Sequence, residues 1–246
     1  MKASCVCLLP ARNAVEHLPG YFRSVAVFAD AVIVLDDGST DETLDIAAST
    51  PLVSDVLRNE PRSGYAGWND GANRRRLLQA AKKLDPDWVV FLDADERLDE
   101  EDGLALAAAM SGDALPGCAY GFQHFRMWDE ALADPDFRWI YRMFSGDRRY
   151  HLPDIKLHFN PVPLEIPSLA WIRTTIRVRH VGADSIEAVQ RRIRKYEEVD
   201  PQGHHGGDSA HLSAVPERLA PWQRRADSTP FLYNDIGSDA GVAATR

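Results

Sequence analysis

Residues 88–98 have the sequence WVVFLDADERL, in which an apolar run ends in three carboxylates. The apolar residues 89–92 follow one another without alternating polar positions, which is typical of a strand that is buried on both faces. Asp93, Asp95 and Glu96 come directly after them. Because like charges at this spacing repel one another, the stretch predicts a positively charged partner at the end of the strand.

The residues before this stretch alternate between strand patterns and helix patterns. Continuous apolar strands that alternate with helices predict a parallel sheet covered by helices, so the fold class is α/β. The predicted strands cover 4–9, 31–37, 53–59 and 87–95, and the predicted helices cover 11–29, 39–49 and 68–84.

After residue 100 the pattern changes to a smaller, mixed arrangement. A helix is predicted at 100–110, followed by aromatic-rich strands, a strand at 171–182 and a helix at 185–199. From residue 201 the chain is rich in Gly, Ser, Asp and Ala and has no sustained period. We therefore divide the chain into residues 1–100, 101–200 and a flexible C-terminal tail at 201–246, which we expect to be partly disordered or to act as a lid.

The composition excludes several classes of protein. A formal net charge of −9 argues against a nucleic-acid partner, which usually requires a basic surface. No apolar run approaches the roughly 20 residues of a membrane span, and the N-terminus lacks the length of a signal peptide. The three cysteines do not suggest a disulfide framework, and CxC at Cys5 and Cys7 is more typical of core residues than of a metal site. We expect a cytoplasmic protein.

Polar clusters follow three of the predicted strands, at 10–13 (PARN), 36–41 (DDGSTD) and 93–96 (DADE). In an open parallel sheet, ligands bind outside the carboxyl ends of the strands, so the three clusters predict one site. On an extended segment, Asp93 and Asp95 would point the same way and suit Mg²⁺ or Mn²⁺, with a diphosphate completing the shell. The alternative is that these carboxylates only cap the next helix.

Three stretches in this order resemble family 2 glycosyltransferases of the GT-A fold. They are LLPARNAVEHLPGYFRSV at 8–25, VIVLDDGSTDETLDIA at 32–47 and WVVFLDADERL at 88–98. The later RVRHVGADSIEAVQRRIRKYEE at 177–198 resembles the C-terminal segment of that family. The resemblance implies a nucleotide-sugar-binding half at 1–100 and an acceptor-binding half at 101–200.

The resemblance also implies roles for individual residues. The first cluster would lie beside the nucleobase and ribose, the aspartates of the second would bind the base, and the helix at 68–84 would supply an arginine to the diphosphate or the donor sugar. A solvated basic face is the alternative for that arginine. The implied nucleotide-sugar-binding residues are Pro10, Arg12, Asn13, Asp36, Asp37, Asn69, Arg74, Asp93 and Ala94.

The implied metal ligands for Mg²⁺ or Mn²⁺ are Asp93, Asp95 and His180. The resemblance places Asp93 nearer the ribose and Asp95 on the metal that bridges the diphosphate. His180 matches the C-terminal histidine of the family, although a histidine at a strand end is more often a structural hydrogen-bonding residue.

Inverting transfer needs a general base for the acceptor hydroxyl. The acidic pair that supplies this base in the family is not clearly present here. The candidates are Asp154, Asp129, Glu130 and Glu165, and Asp154, in the loop HLPDIK at 151–156, is preferred. The aromatic residues that could form an acceptor platform, unless they pack in the core, are Trp128, Trp139, Tyr141 and Trp171.

The leading hypothesis is a metal-dependent glycosyltransferase that moves a sugar from a nucleoside-diphosphate sugar to an acceptor hydroxyl, with inversion. The acceptor would be a saccharide, a small molecule or a lipid-linked compound, and the last of these would place the protein at a membrane periphery. Two alternatives stay open: a sugar nucleotidyltransferase, although the Gly-rich phosphate loop of such enzymes is missing, and a non-catalytic nucleotide- or metal-binding domain.

Overall fold

The computed structural model describes residues 4–62, 64–182, 186–200 and 218–226. The predicted disorder or lid function of the tail falls mostly outside these ranges. The strands are β1 (Cys5–Ala11), β2 (Ala31–Asp36), β3 (Val53–Arg58), β4 (Trp88–Phe91), β5 (Glu96–Arg97), β6 (Ala119–Met127), β7 (Leu132–Ser145), β8 (Trp171–His180) and β9 (Ala220–Pro221). The helices are α1 (Leu18–Val25), α2 (Thr43–Ser49), α3 (Asp70–Ala81), α4 (Glu100–Ser111) and α5 (Ile186–Val199).

In the described part of the chain these strands form one sheet, in the order β3-β2-β1-β4-β7-β6-β8-β5, with β9 added to β7. Strands β1 to β4 pair in parallel, as the alternating pattern predicted. The sheet then continues through the antiparallel pairs β4–β7 and β6–β7 and the parallel pair β6–β8. The predicted α/β class is confirmed, and one continuous sheet joins the two predicted halves.

Both faces of the parallel region are covered by apolar packing. Alternate residues of β1 belong to different core clusters: Cys7 and Leu9 pack on the side of α1 and α4, and Leu8 packs on the side of α3. All three are fully buried. Since burial of a large apolar side chain contributes about 1.5–3 kcal/mol, these layers hold the strand ends at fixed positions.

The strand register brings the three polar clusters to one edge of the sheet. Ala11 pairs with Asp36 at the ends of β1 and β2, and Leu8 pairs with Phe91 at the end of β4. The turn after β2 requires glycine, because Gly38 has a φ of +74° and a Cβ there would lie 2.3 Å from a backbone oxygen. The common edge that the sequence predicted for these clusters is therefore present.

The C-terminal part of the chain also contributes to this edge of the sheet. β5 pairs with β8, and this places Glu96 opposite His180. The segment at 218–226, called here the strap, adds β9 to β7 and then crosses β8, where the indole of Trp222 donates to Asp99 at 2.7 Å. Within the described ranges, no helix has the length and apolar character needed to cross a bilayer.

Candidate functional site

A cavity of about 660 Å³ opens at the carboxyl ends of the strands, and both halves of the chain contribute to its wall. It gathers most of the residues that the sequence singled out for the site. Those that line it are Pro10, Arg12, Asn13, Asp37, Arg74, Asp93, Ala94, Asp95 and His180.

Hydrogen bonds tie the loop after β1 to the loop after β2. Asn13 has a left-handed backbone with a φ of +46°, and its side-chain oxygen accepts from the amide of Thr40 at 2.8 Å. Its own amide donates to the hydroxyl of Ser39 at 2.9 Å, and the next amide, of Ala14, donates to Thr43 at 2.7 Å. The two clusters therefore form one rigid rim of the cavity.

Asp37 and Arg12 form the part of the cavity next to this rim. The carboxylate of Asp37 accepts from both terminal nitrogens of Arg62 and from the side-chain amide of Asn59. The Arg12 guanidinium lies 4.5 Å from the centre of the Tyr65 ring, and its Nε and Nη1 atoms are buried without a hydrogen-bond partner among the described residues. Burial and the nearby Arg62 lower the pKa of Arg12.

The DADE segment is a turn, so the expectation that it is an extended segment is wrong. β4 ends at Phe91, and the amide of Glu96 donates to the carbonyl of Asp93 at 2.9 Å. The side chain of Glu96 in turn accepts from the amide of Asp93 at 2.8 Å. Because the chain reverses here, Asp93 and Asp95 take different partners rather than sharing one.

Two arginines provide positive charge to two of the three carboxylates, Asp93 and Glu96. Asp93 accepts from Arg74 at 2.6 Å through one oxygen and from Arg142 at 3.1 Å through the other. Arg142 also donates to the buried Glu96 at 2.9 Å. Burial raises the pKa of Glu96, but Arg142 and a hydrogen bond from His124 outweigh burial, so the pKa lies below its usual range.

Arg74 is itself buried in the cavity wall. It donates through Nε to Asp70 at 2.8 Å, one helical turn earlier, and its Nη1 atom is buried without a partner among the described residues. Burial lowers the pKa of the guanidinium, but Asp70 and Asp93 outweigh burial, so the pKa is raised. The group stays charged and keeps one N–H donor without a partner among the described residues.

Asp95 and His180 lie side by side, with 3.1 Å between the carboxylate Oδ2 and the imidazole Nε2. The described residues contain no group of three or more His, Cys, Asp and Glu side chains that could hold a metal ion by themselves. A carboxylate oxygen and an imidazole nitrogen are nevertheless ligands that divalent cations accept. The pair therefore supplies two donor atoms of the kinds that a divalent cation binds.

Three predicted residues do not line the cavity. Asp36 is buried in β2 and accepts from the amide of Ser39, and Asn69 caps α3 by accepting from the amide of Ala72. The side chain of Asp154 is 90% exposed and forms an ion pair with Arg75 at 2.7 Å. The other base candidates and the suggested aromatic platform also lie outside the lining, namely Asp129, Glu130, Glu165, Trp128, Trp139, Tyr141 and Trp171.

The cavity also contains residues that the sequence analysis missed. Lys195 of α5 places its ammonium group 4.1 Å from the centre of the Trp68 ring and 5.4 Å from that of Tyr65. On the same helix, Glu198 accepts from the amides of Tyr65 and Ala66 at 2.6 and 3.0 Å. The segment RWIYRMF at 138–144 could have indicated Arg142. Successive residues of a strand face opposite sides of the sheet, so residues 138, 140 and 142 share one face of β7.

Comparison with known proteins gives relatives over much of the chain. An uncharacterized protein of Mycobacterium tuberculosis is 29% identical over 209 residues, which is 78% of this chain and 49% of that protein. The PGL/p-HBAD biosynthesis glycosyltransferase of Mycobacterium tuberculosis is 35% identical over 137 residues, which is 54% of this chain and 48% of that protein. The chain thus spans about half the length of the curated relatives it matches.

Among solved structures, TarS of S. aureus matches with a TM-score of 0.47 and 16% identity, over 85% of this chain and 41% of that chain. The sequence profile described as glycosyl transferase family 2 matches residues 7–175, which is more than half of the chain. This match confirms the family and the GT-A type of fold that the motifs implied. The chain belongs to glycosyl transferase family 2.

Proposed function

We propose that the protein transfers a sugar from a nucleoside-diphosphate sugar to an acceptor hydroxyl. The observation that carries the proposal is the single cavity in which the PARN rim, Asp37 and the DADE turn meet, in a chain of this family. In this proposal residues 1–100 bind the donor and residues 101–200 bind the acceptor. One sheet runs through both halves, so the donor and the acceptor would bind next to each other in the same cavity.

The base and ribose would lie at the rim formed by the loops after β1 and β2. Asp37 is held in place by Arg62 and would present its carboxylate edge to the base. Arg12, with two buried nitrogen atoms that lack a partner among the described residues, would donate to the ribose or to a phosphate. Asp36 and Asn69 would not contact the donor. They would stabilise the turn after β2 and the start of α3, and in this way position the residues that do.

Arg74 would bind the diphosphate. Its unpartnered Nη1 is buried in the cavity wall, and a buried donor of a charged group gains about 1.5–3 kcal/mol from a hydrogen bond. The ion pairs with Asp70 and Asp93 fix its orientation before the ligand arrives. Such a preorganised donor does not have to be reoriented when charge develops on the leaving group.

Asp95 and His180 would hold a Mg²⁺ or Mn²⁺ ion, and Asp93 would stabilise the turn that carries Asp95. A divalent cation bound there would supply positive charge to the leaving diphosphate. In the transfer, the bond from the anomeric carbon to the diphosphate oxygen breaks and its electron pair leaves with the diphosphate. A bond to the acceptor oxygen forms on the opposite face, and the hydroxyl proton passes to the base.

The base is the part of the mechanism that most needs a direct test. Asp154 would reach the cavity only if its ion pair with Arg75 opened. If Asp154 is the base, Asp154→Asn lowers kcat by about 10²–10⁴-fold with little change in donor affinity. An unchanged kcat in steady-state assays would remove Asp154 from the mechanism.

The donor site can be tested by thermal unfolding with UDP-, GDP- and dTDP-sugars, each with and without Mn²⁺. A ligand at a hundred times its Kd adds about 2.7 kcal/mol of stability. We expect one nucleotide to stabilise the wild type only with metal, and Asp95→Ala to lose the effect. Asp55→Ala, an exposed aspartate on β3, is the matched control.

Stabilisation by none of these donors would contradict the proposal. Binding without hydrolysis or transfer of the sugar would instead favour the non-catalytic domain.

A further inference from the structure

A short chain of hydrogen bonds joins the side chain of Asn73, on α3, to Asp37. Arg76 donates to the side-chain oxygen of Asn59. The side-chain nitrogen of Asn59 donates to Asp37 and, at 3.0 Å, to the side-chain oxygen of Asn73. Asp37 and Asn73 thus bind the same nitrogen atom, and both residues line the cavity.

The orientations of the two side-chain amides follow from the groups at the ends of this chain. A guanidinium group only donates and an ionised carboxylate only accepts, so Asn59 has its oxygen towards Arg76 and its nitrogen towards Asp37. Because that nitrogen also donates to Asn73, the atom of Asn73 that it meets is the oxygen. The Nδ2 atom of Asn73 is therefore the other branch of the amide, and it is a donor.

This donor is buried in the cavity wall without a hydrogen-bond partner among the described residues. The whole of Asn73 is only 4% exposed, and its backbone amide is held by the carbonyl of Asn69 at 3.1 Å. Most buried side-chain donors in proteins are paired. An unpaired one that is fixed in place beside a cavity indicates that a ligand supplies the missing acceptor.

Asp37 has one acceptor position left beside this donor. A carboxylate has about four lone-pair positions. Three of them are filled in the described part of the chain, because Arg62 donates to each oxygen and Asn59 donates to one of them. A ligand at this place therefore meets one acceptor position and one neighbouring NH₂ group.

We propose that Asp37 and Asn73 bind the imide edge of uracil or thymine, so that the substrate is a uridine or thymidine diphosphate sugar. An imide has a single ring N–H between two carbonyls. The N–H would donate to Asp37, and one carbonyl would accept from Asn73. Guanine, adenine and cytosine carry an amino group on the corresponding edge, and its additional N–H would find no acceptor in this pair. The inference rests on the proposed function, because it assumes that the base lies at Asp37.

The first test is calorimetric titration of UDP, dTDP, GDP, ADP and CDP into the wild type with Mn²⁺. We expect UDP or dTDP to bind at least tenfold more tightly than the other three, and the tighter of the two identifies the nucleoside. N3-methyl-UDP keeps both carbonyls but lacks the N–H, so it should bind at least tenfold more weakly than UDP. A preference for GDP, ADP or CDP, or undiminished binding of the methylated nucleotide, would overturn the proposal.

The second test asks whether Asn73 donates to the base. Asn73→Asp keeps the oxygen that accepts from Asn59 and replaces the NH₂ group by an acceptor, whereas Asn73→Ala removes the amide without adding charge. Each should raise the Kd of UDP or dTDP about tenfold, the effect of one hydrogen bond to a buried group. Gln79→Ala, an exposed amide of the same helix outside the lining, is the matched control and should leave the Kd unchanged.

Thio analogues separate this contact from a purely structural role of Asn73. Sulfur accepts hydrogen bonds weakly, so Asn73→Ala should weaken 2-thio-UDP or 4-thio-UDP, whichever carries sulfur at the paired carbonyl, less than it weakens UDP. Equal losses for UDP and both analogues would assign Asn73 a structural role and overturn the proposal. A Kd that rises in Asn73→Asp but not in Asn73→Ala would reflect charge alone and would overturn it as well.

The outcomes also separate this inference from the proposed function. Binding of UDP or dTDP that depends on Asn73, without transfer of a sugar, would contradict the transfer reaction and support the base site. Transfer from a guanosine diphosphate sugar would support the reaction and contradict the base site. Binding of no nucleotide would contradict both.

Discussion

Replacing Asp102 by asparagine is expected to destabilise the protein by about 3–5 kcal/mol, the cost of breaking a buried ion pair. Asp102 lies in the first turn of α4 and is fully buried. Its carboxylate accepts three hydrogen bonds from Arg177, at 3.0–3.2 Å, and one from Arg225 of the strap at 3.0 Å. The carboxylate therefore joins α4, β8 and the strap.

The magnitude follows from these contacts. An asparagine keeps one acceptor oxygen and turns an NH₂ group towards the guanidinium group of either Arg177 or Arg225, so about half of the hydrogen bonds are lost. Two bonds to charged groups at about 1.5–3 kcal/mol each give a loss of at least about 3 kcal/mol. The arginines would also remain buried without their counter-ion, because the side chains of Arg177 and Arg225 are only 18% and 9% exposed.

Equilibrium unfolding in urea measures the change. With a slope of about 2 kcal/mol/M, the midpoint should fall by about 1.5–2.5 M. Glu100→Gln, an exposed carboxylate in the same turn of α4, should change stability by less than about 0.5 kcal/mol. Equal midpoints for Asp102→Asn and this control would refute the view that the buried carboxylate holds the strap.

Three further predictions concern other parts of the molecule. Gly38→Ala should destabilise more than Gly117→Ala in urea titrations, because both have positive φ but only a Cβ at Gly38 meets a backbone oxygen at 2.3 Å; equal losses would contradict this. Burial raises the pKa of Cys7 to about 12, so the thiol stays protonated and we expect no labelling by iodoacetamide at pH 8 until the protein unfolds, as followed by mass spectrometry. Arg142→Met leaves the Glu96 carboxylate buried without its arginine, and we expect a loss of about 3–5 kcal/mol, whereas a neutral result would show that solvent replaces the arginine.

The parallel half of the fold could be predicted from sequence because its strands are short and separated by helices, and because β1, β2 and β4 are almost continuously apolar. The bounds of β2 and β3 differ from the predictions by a single residue. The first helix is shorter than predicted, since α1 begins only at Leu18, where Pro19 suits the first turn. Local signals of this kind do not depend on distant parts of the chain.

The partners within the site could not be predicted in the same way. The sequence indicated that DADE needs positive charge, but Arg142 lies 46 residues beyond Glu96 and reaches it only through the β4–β7 pairing. The turn at Asp93 was missed because its hydrogen bond to Glu96 leaves no pattern in hydrophobicity. Tyr65 and Trp68 lie in the loop before α3, although the sequence placed Trp68 at the start of the predicted helix, and neither was indicated as a site residue.

The pairing of β5 with β8 has a consequence for how the protein acquires function as it folds. Asp95 and His180 are separated by 85 positions and meet only after the last long strand has been added to the sheet. Contacts of such long range form slowly, because a large loop must close before they contribute. A chain still emerging from the ribosome would form the rim made by the loops after β1 and β2 early and the Asp95–His180 pair late. Under the proposed function, metal-dependent donor binding would therefore require β8 to be in place.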